Sequence, residues 1–208
     1  MIEIIPVDYG KSVLPESCVL QNGDKNNLRP IIFRIYLIKA DNRLILADAG
    51  CETMPGFEMR DFIGPIKALE NMGISPDEIT DVIITHSHHD HIECVKYFKK
   101  AVIYIQKDEY EAGRKYLIPE LDIRTFEEEI KICDGVNIIK IGGHTKGSSI
   151  VEITDAKARY IIAGDECYMR ECIEKQIPTG SSCNPENSLN FIQKYGTGEY
   201  KVLLCHDA

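Results

Sequence analysis

Long apolar runs and basic segments are missing from this chain of 208 residues. A membrane-spanning helix needs roughly 18 or more consecutive apolar residues. Since no stretch of the sequence approaches that length, we expect no membrane partner. The first ten residues, MIEIIPVDYG, carry neither the basic flank nor the apolar run of a signal peptide. The sequence therefore predicts a cytoplasmic protein.

Positive charge is scarce as well, because 24 Lys and Arg stand against 33 Asp and Glu and leave a formal net charge of −9. An acidic surface repels the phosphate backbone, so nucleic acid is not an expected partner. Clustered carboxylates are neutralised where divalent cations bind, so part of this charge can belong to a site. We expect a small-molecule substrate.

Paired cysteines are the third absence. The chain has eight cysteines, but none of them forms a C-x-x-C pair, which excludes a zinc ribbon and a thioredoxin-like motif. We expect reduced thiols in the cytoplasm, most of them small buried apolar side chains. The role of Cys167 is left open, since it lies two residues after a candidate metal ligand.

The segments that are present alternate between β-rich and helical patterns and fit one domain over residues 1–208. Ile31–Ala40 and Arg43–Ala47 flank a two-residue turn and predict a β-hairpin. A helix is predicted from Pro65, with Gly73 as its C-terminal stop.

The remaining segments are assigned by the same patterns. Helices are predicted over Lys107–Tyr116 and from Pro185 to Tyr195, after the capping residue Asn184. Long irregular stretches are expected at Gly10–Pro30 and Tyr168–Asn184. Strands are predicted at Val82–Thr85, Ala101–Ile105, Lys131–Ile141, Ser148–Thr154, Ala158–Ala163 and Lys201–Cys205.

The most informative segment is Thr85–His91, with the sequence THSHHDH, which follows a predicted strand. Imidazole and carboxylate groups are ligands that zinc, iron(II) and manganese accept. His86 and His88 are two residues apart, so on extended backbone they project to the same side. Asp90 and His91 follow where the chain turns. Four donors within six residues suit two neighbouring ions better than one.

Three further candidate donors follow other predicted strands. His144 lies in a glycine-flanked turn, Asp165 follows Gly164 at a strand end, and His206 comes directly after the last strand. Taken singly, each of them is also compatible with an ordinary turn or capping role. Together with the histidine cluster, they place every donor at the same kind of location.

These motifs resemble those of the metallo-β-lactamase superfamily. The T-H-x-H-x-D-H signature corresponds to Thr85–His91, the G-H-T/S-x-G turn to Gly143–Gly147, and the G-D strand end to Gly164-Asp165. The late histidine corresponds to His206, and the early D-x-G to Asp48–Gly50. The resemblance implies an α/β fold of four layers, an αββα sandwich with two mixed sheets between helices.

The resemblance also implies two divalent metal ions. Zinc is the expected metal, and iron or manganese would suit the same ligands. By correspondence with the family motifs, Asp48 supports the site through hydrogen bonds, although a turn-capping role is an equal alternative. The implied ligands are His86, His88 and His144 for the first ion, Asp90, His91 and His206 for the second, and Asp165 as the bridge.

Within the superfamily, the chain most resembles the N-acyl homoserine lactonases. It shares with them a Tyr three residues after the bridging Asp, at Tyr168, the segment Glu109–Ala112, and a late His-Asp pair. The resemblance implies a hydroxide shared by the two ions that attacks a lactone or ester carbonyl. Tyr168 would stabilise the oxyanion, or alternatively only pack, and Asp90 or Asp165 would carry the proton to the leaving group.

Three other reactions remain open, those of a glyoxalase II-like thioesterase, of a phosphodiesterase and of a persulfide dioxygenase with a single iron. A metal-binding protein with a regulatory or structural role is the alternative outside enzymes. His88 stands where flavodiiron oxygen reductases carry Glu, which favours hydrolysis over redox chemistry. His89 is expected to point away from the metals, because neighbours on the chain alternate in direction, and then to line the substrate entrance or bond to backbone.

Overall fold

The computed structural model describes residues 2–208. The chain forms two compact units. The first unit comprises the chain up to Lys11 together with Phe33–Glu127, and the second comprises Ser12–Ile32 and Glu128–Ala208. The described chain contains one six-stranded and one five-stranded sheet, so the expectation of a mixed α/β protein is confirmed.

The six-stranded sheet has its strands in chain order. The predicted hairpin is present, with Ala40 opposite Arg43 in an antiparallel pair. The next three pairings are all parallel. Every residue of the fourth strand is buried, as expected of a parallel strand covered on both faces. The strands are β1 (Glu3–Pro15), β2 (Leu28–Ala40), β3 (Arg43–Ala47), β4 (Asp81–Ile84), β5 (Val102–Gln106) and β6 (Asp122–Phe126).

Short helices connect the parallel strands of the first unit. The first of them, α2 (Pro65–Asn71), has proline at its first position and is followed by Gly73 with a positive φ of 77°, as predicted. A single-turn helix, α3 (His89–Ile92), follows β4, and α4 (Lys107–Ala112) follows β5. Because the chain turns at Gly113, the helix predicted to reach Tyr116 ends early, and the residues beyond form a separate 3-10 turn.

The five-stranded sheet also has its strands in chain order. Neighbouring strands are antiparallel, except that the last two strands of the chain run parallel. The longest helix of this unit, α6 (Pro185–Tyr195), is capped by the Asn184 side chain, as predicted. The other elements are α1 (Glu16–Val19), β7 (Glu129–Cys133), β8 (Val136–Lys140), β9 (Ser149–Thr154), β10 (Arg159–Ile162), α5 (Arg170–Lys175) and β11 (Lys201–Leu203).

Three expectations about these segments are wrong. The stretch Tyr168–Asn184 is only partly irregular, since it contains α5. The single strand predicted over Lys131–Ile141 is a hairpin of β7 and β8, because Asp134-Gly135 forms a tight turn in which Gly135 has a positive φ of 80°. The stretch Gly10–Pro30 is only partly irregular, since β1 continues to Pro15 and β2 begins at Leu28.

The buried side chains of both units are mainly Val, Ile and Leu. Five of the eight cysteines are buried as well, which confirms the expectation that most of them are core side chains. In residues 2–208, no helix is both long enough and apolar enough to cross a membrane.

Candidate metal centre

The first group of candidate ligands lies on the loop that follows β4. Because β3, β4 and β5 are parallel, their carboxyl ends meet at one edge of the sheet. Asp48 follows β3, Thr85 follows β4, and α4 with Glu109 follows β5. The strand topology therefore brings side chains that are far apart in sequence to the edge of the sheet where the loop Thr85–His91, the ligand loop, begins.

The buried carboxylate of Asp48 orients two of the candidate ligands. Its Oδ1 accepts hydrogen bonds from the Thr85 amide at 2.8 Å and the Thr85 hydroxyl at 2.9 Å, and its Oδ2 lies 2.8 Å from His91 Nδ1. Thr85 Oγ1 lies 3.2 Å from His86 Nδ1. Since the Thr85 proton is directed to Asp48, His86 Nδ1 must be the donor in that contact. In the neutral form, both imidazoles therefore present the lone pair of Nε2.

His88 and Asp90 lie on the same loop, on either side of a change in backbone direction. The backbone of His88 is extended, whereas Asp90 and His91 lie in α3. His86 Nε2 lies 3.0 Å from His88 Nδ1, and His91 Nε2 lies 3.6 Å from Asp90 Oδ2. His86 with His88, and Asp90 with His91, are thus found in separate groups of side chains suited to hold a metal ion.

Two side chains that the sequence analysis did not identify hold this loop in place. Tyr9 on β1 donates its hydroxyl proton to the main-chain carbonyl of Asp90 at 2.9 Å, and burial raises the pKa of Tyr9 so that it remains a donor. Glu109, which is buried on α4, accepts hydrogen bonds from the amide of Ser87 at 2.8 Å and its hydroxyl at 2.6 Å. The Glu109–Ala112 match was an available signal for Glu109, but none exists for Tyr9.

His89 lies between two candidate ligands, and its two ring nitrogens contact other groups. Nε2 lies 2.8 Å from the Thr53 carbonyl oxygen, and Nδ1 lies 3.0 Å from the Tyr116 hydroxyl. Because a carbonyl only accepts, Nε2 carries the proton and Nδ1 accepts from Tyr116. The expectation that His89 points away from the ligand positions is confirmed, and its partners are a backbone carbonyl and the Tyr116 hydroxyl.

Among residues 2–208, no cysteine belongs to the groups of side chains suited to hold a metal ion. Burial, together with the charge of Asp90, raises the pKa of Cys51 to about 12. Burial also raises the pKa of Cys94. Both side chains are therefore protonated core residues at neutral pH.

In the second unit, three candidate ligands again follow strands. His144 lies in the turn after β8, Asp165 in a 3-10 turn after β10, and His206 just after β11. Because β10 and β11 are parallel neighbours, their ends bring Asp165 and His206 to one edge of the sheet. All three side chains are buried.

Asp165 faces both histidines of this unit. His206 Nδ1 lies 2.8 Å from the carbonyl oxygen of Ile32 and must donate, so the neutral ring presents its lone pair at Nε2. That Nε2 lies 3.1 Å from Asp165 Oδ1, and His144 Nε2 lies 3.4 Å from Asp165 Oδ2. One carboxylate thus presents a separate oxygen to each of two imidazoles, as a carboxylate that binds two ions would.

Tyr168 packs against the same histidines. Its ring stacks on that of His206, with centroids 5.0 Å apart and planes inclined by 21°, and its centroid lies 5.9 Å from that of His144. Cys167, whose role the sequence left open, is buried and donates to the carbonyl of Met169 at 3.2 Å. Tyr168 is therefore next to the candidate ligands, whereas Cys167 bonds to the main chain.

Glu166 was also missed by the sequence analysis. It is fully buried, and burial raises its pKa to about 7 although several hydrogen bonds to its carboxylate oppose that shift. Its partners are the Ser148 hydroxyl, the amides of Gly143 and His144, and the Ser188 hydroxyl. No local pattern distinguishes it from a turn residue, because its partners are 18 to 23 positions away.

The chemistry of the donors fits divalent transition-metal ions. The first unit offers three imidazoles and a carboxylate on one loop, and the second offers two imidazoles and a carboxylate. In the neutral form, His206 Nε2 and Asp165 Oδ1 are both electron-pair donors, so a cation between them is favourable. Mixed imidazole and carboxylate ligands are those that zinc, iron(II) and manganese accept.

Known proteins resemble this chain in sequence and in fold. The family model described as the metallo-beta-lactamase superfamily matches residues 34–205. The N-acyl homoserine lactonase AiiA of Bacillus thuringiensis subsp. kurstaki is 23% identical over 214 residues, covering 90% of this chain and 84% of the relative.

Two solved structures have a similar fold. An N-acyl homoserine lactone hydrolase, with the product N-hexanoyl-L-homoserine at its catalytic metal centre, gives a TM-score of 0.85 at 20% identity and covers 98% of this chain and 92% of that one. The dizinc quorum-quenching lactonase AidC gives a TM-score of 0.76 at 16% identity, and the match covers 99% of this chain and 87% of that one. These likenesses confirm the predicted fold class, and the family match spans most of the sequence. The chain is a member of the metallo-beta-lactamase superfamily.

Proposed function

We propose that this protein is a dinuclear metal-dependent hydrolase that opens a lactone or a related ester. Its membership of the superfamily and its similarity to N-acyl homoserine lactonases support hydrolysis. The proposed ligands of the first ion are His86, His88 and His144, those of the second are Asp90, His91 and His206, and Asp165 bridges the two. Zinc is the proposed metal, in keeping with the dizinc relative, and iron or manganese are alternatives.

The observation that carries this proposal is the way in which hydrogen bonds orient the imidazoles. His91 Nδ1 is held by Asp48 and His206 Nδ1 by the Ile32 carbonyl, so each ring directs Nε2 away from its acceptor. Metal-binding histidines typically donate their second ring proton to a carboxylate or a carbonyl. Both rings have that arrangement, with Nε2 directed toward Asp90 in His91 and toward Asp165 in His206.

The catalytic residues we propose are Asp90, Asp165 and Tyr168. When bound, the ions act as Lewis acids and lower the pKa of water toward ~7, so that hydroxide is available at neutral pH. The partly exposed carboxylate of Asp90 can take up the proton of the hydroxyl group that has added to the carbonyl carbon and pass it to the leaving alkoxide, which leaves a carboxylate and an alcohol. Asp165 holds its two oxygens toward His144 and His206. The hydroxyl of Tyr168 can donate to the oxyanion of the tetrahedral intermediate.

Proton release tests the reaction directly. Purified, metal-analysed protein is mixed near neutral pH with acyl homoserine lactones, simple lactones, thioesters and an activated phosphodiester. We expect turnover of lactones that disappears on chelation and returns when zinc is added. Turnover of thioesters alone would instead favour a glyoxalase II-like thioesterase, and turnover of the phosphodiester alone a phosphodiesterase.

Removal of proposed ligands tests the metal centre. We expect Asp165→Asn and His91→Ala to lose bound metal and nearly all turnover, because each removes a donor from the buried set. Metal content per chain and the rate under saturating substrate are measured side by side. His89→Ala is the control from the same loop, since its two nitrogens bond to Thr53 and Tyr116, and it should keep its metal. A wild-type metal content and rate in either ligand variant would contradict the assignment.

Substitution of Tyr168 separates catalysis from packing. We expect Tyr168→Phe to reduce kcat about 100-fold, because one oxyanion donor is lost. The metal content should be unchanged, since the ring can keep its stacking on His206. Tyr160→Phe, on β10 of the same unit, serves as the matched control and should leave kcat unchanged. If Tyr168→Phe also keeps the wild-type kcat, the side chain only packs.

Asp48→Asn tests the orientation of the ligands with a side chain of nearly the same shape. The amide oxygen can still accept from Thr85, but the amide nitrogen then faces His91 Nδ1. His91 must accept there and protonate Nε2, which cannot coordinate in that form. We expect zinc affinity to fall about 10- to 100-fold, as measured by competition with a chromophoric chelator. The exposed Asp61→Asn should have no effect, and an unchanged affinity in Asp48→Asn would contradict this role.

A further inference from the structure

Glu166 is a buried carboxylate that the proposed chemistry does not use. It lies directly after the proposed bridging ligand Asp165, at the end of the 3-10 turn Gly164–Glu166. Its side chain points into the protein and is fully buried. Burying a carboxylate is costly unless hydrogen bonds replace its lost hydration. The partners of Glu166 therefore indicate what the carboxylate is there to hold.

Those partners converge on the turn that carries His144. Glu166 Oε1 accepts from the amides of Gly143 at 3.1 Å and His144 at 3.3 Å, and also from the Ser148 hydroxyl. Ser148 Oγ lies 3.0 Å from the Thr145 amide, so the same hydroxyl spans the turn from the other side. One oxygen atom thus gathers three donors from the six residues 143–148.

The second carboxylate oxygen of Glu166 accepts a hydrogen bond from α6 and so connects this turn to the helix. Glu166 Oε2 accepts from the Ser188 hydroxyl at 3.3 Å, and Ser188 Oγ lies 2.8 Å from Ser182 Oγ. The main chain of the turn also contacts the start of α6, because the amide of the capping residue Asn184 donates to the Gly143 carbonyl at 2.8 Å. Glu166 therefore links the His144 turn to a helix as well as to Asp165.

The turn is built to let this carboxylate approach. A Cβ atom at Gly143 would collide with Glu166 Oε2 and Ser188 Oγ and would lie 2.8 Å from the Ser188 amide nitrogen. Only glycine leaves room at this position for the carboxylate between the turn and the helix. Gly143 therefore lets the Glu166 carboxylate lie close enough to accept hydrogen bonds from the three donors of the turn.

We propose that Glu166 is a positioning residue of the metal centre, which sets the direction of the His144 imidazole relative to Asp165 by fixing the main chain on both sides of it. This inference rests on the proposed function, in which both residues are ligands. Glu166 follows one ligand in the chain and accepts the amide of the other, so a single side chain connects the two. Loss of that connection should weaken metal binding in protein that is still folded.

The experiment measures zinc affinity, by competition with a chromophoric chelator, at a temperature where circular dichroism shows each variant to be folded. We expect Glu166→Ala to bind zinc about 10- to 100-fold more weakly than the wild type. Ser148→Ala removes one of the three donors, and its zinc affinity should lie between those of the wild type and Glu166→Ala. Glu166→Gln keeps an acceptor for the two amides and should stay close to the wild type. The exposed Glu174→Ala, on α5, is the matched control.

The outcomes separate positioning from stability. If Glu166 only supports the fold, Glu166→Ala lowers the unfolding temperature of the metal-free protein but leaves the zinc affinity of the folded protein unchanged, and the inference is overturned. It is also overturned if Glu166→Gln loses as much affinity as Glu166→Ala, since charge rather than orientation would then be responsible.

His144→Ala, measured in parallel, distinguishes this inference from the proposed function. If that variant keeps wild-type zinc affinity, His144 is not a ligand and the proposed ligand set fails. If it loses affinity while Glu166→Ala does not, only the positioning role of Glu166 fails.

Discussion

The ligand loop of the first unit depends on the carboxylate of Asp48. This residue has a positive φ of 66°, and its amide donates to the carbonyl of Ile83 on the neighbouring strand, so the backbone directs the side chain under the loop. There it accepts the amide and hydroxyl of Thr85 and contacts His91. Without that acceptor, neither the start of the loop nor the proton positions of His86 and His91 would be fixed. The proton positions proposed for His86 and His91 therefore depend on this one side chain.

Other buried carboxylates and main-chain carbonyls accept hydrogen bonds near the candidate ligands, as Asp48 does. Asp48, Glu109 and Glu166 are all buried carboxylates, and each accepts hydrogen bonds from a ligand-bearing segment. The main chain supplies the remaining restraints, since the Ile32 carbonyl orients His206 and the Asp90 carbonyl accepts from Tyr9. Hydrogen bonds of this kind fix orientation without supplying ligands. The donor atoms are thereby positioned before any ion binds, which reduces the entropy lost on coordination.

The ligand candidates were predictable because they are local. They follow strands whose apolar pattern is plain, and Thr85–His91 contains four of them in a single segment. The residues that hold the ligands were not predictable from pattern, because their partners are distant in sequence: Tyr9 and Asp90 are 81 positions apart. The hairpin of β7 and β8 was predicted wrongly, as a single strand, for a different reason. Asp134-Gly135 is a recognisable turn signal, but the apolar run around it favoured one continuous strand over the observed hairpin.

The exposure of the proposed ligands is uneven, and this bears on what the centre is for. His86, His91, His144, Asp165 and His206 are all buried, whereas His88 is exposed and Asp90 is half-buried. A structural metal site is closed by its ligands, while a catalytic site leaves a position that water or substrate can reach. If these side chains hold the proposed ions, His88 and Asp90 are the ligands that a molecule in solution can reach. Asp90 is then the carboxylate best placed to exchange protons with a leaving group, because it alone among the proposed acidic ligands is accessible to solvent.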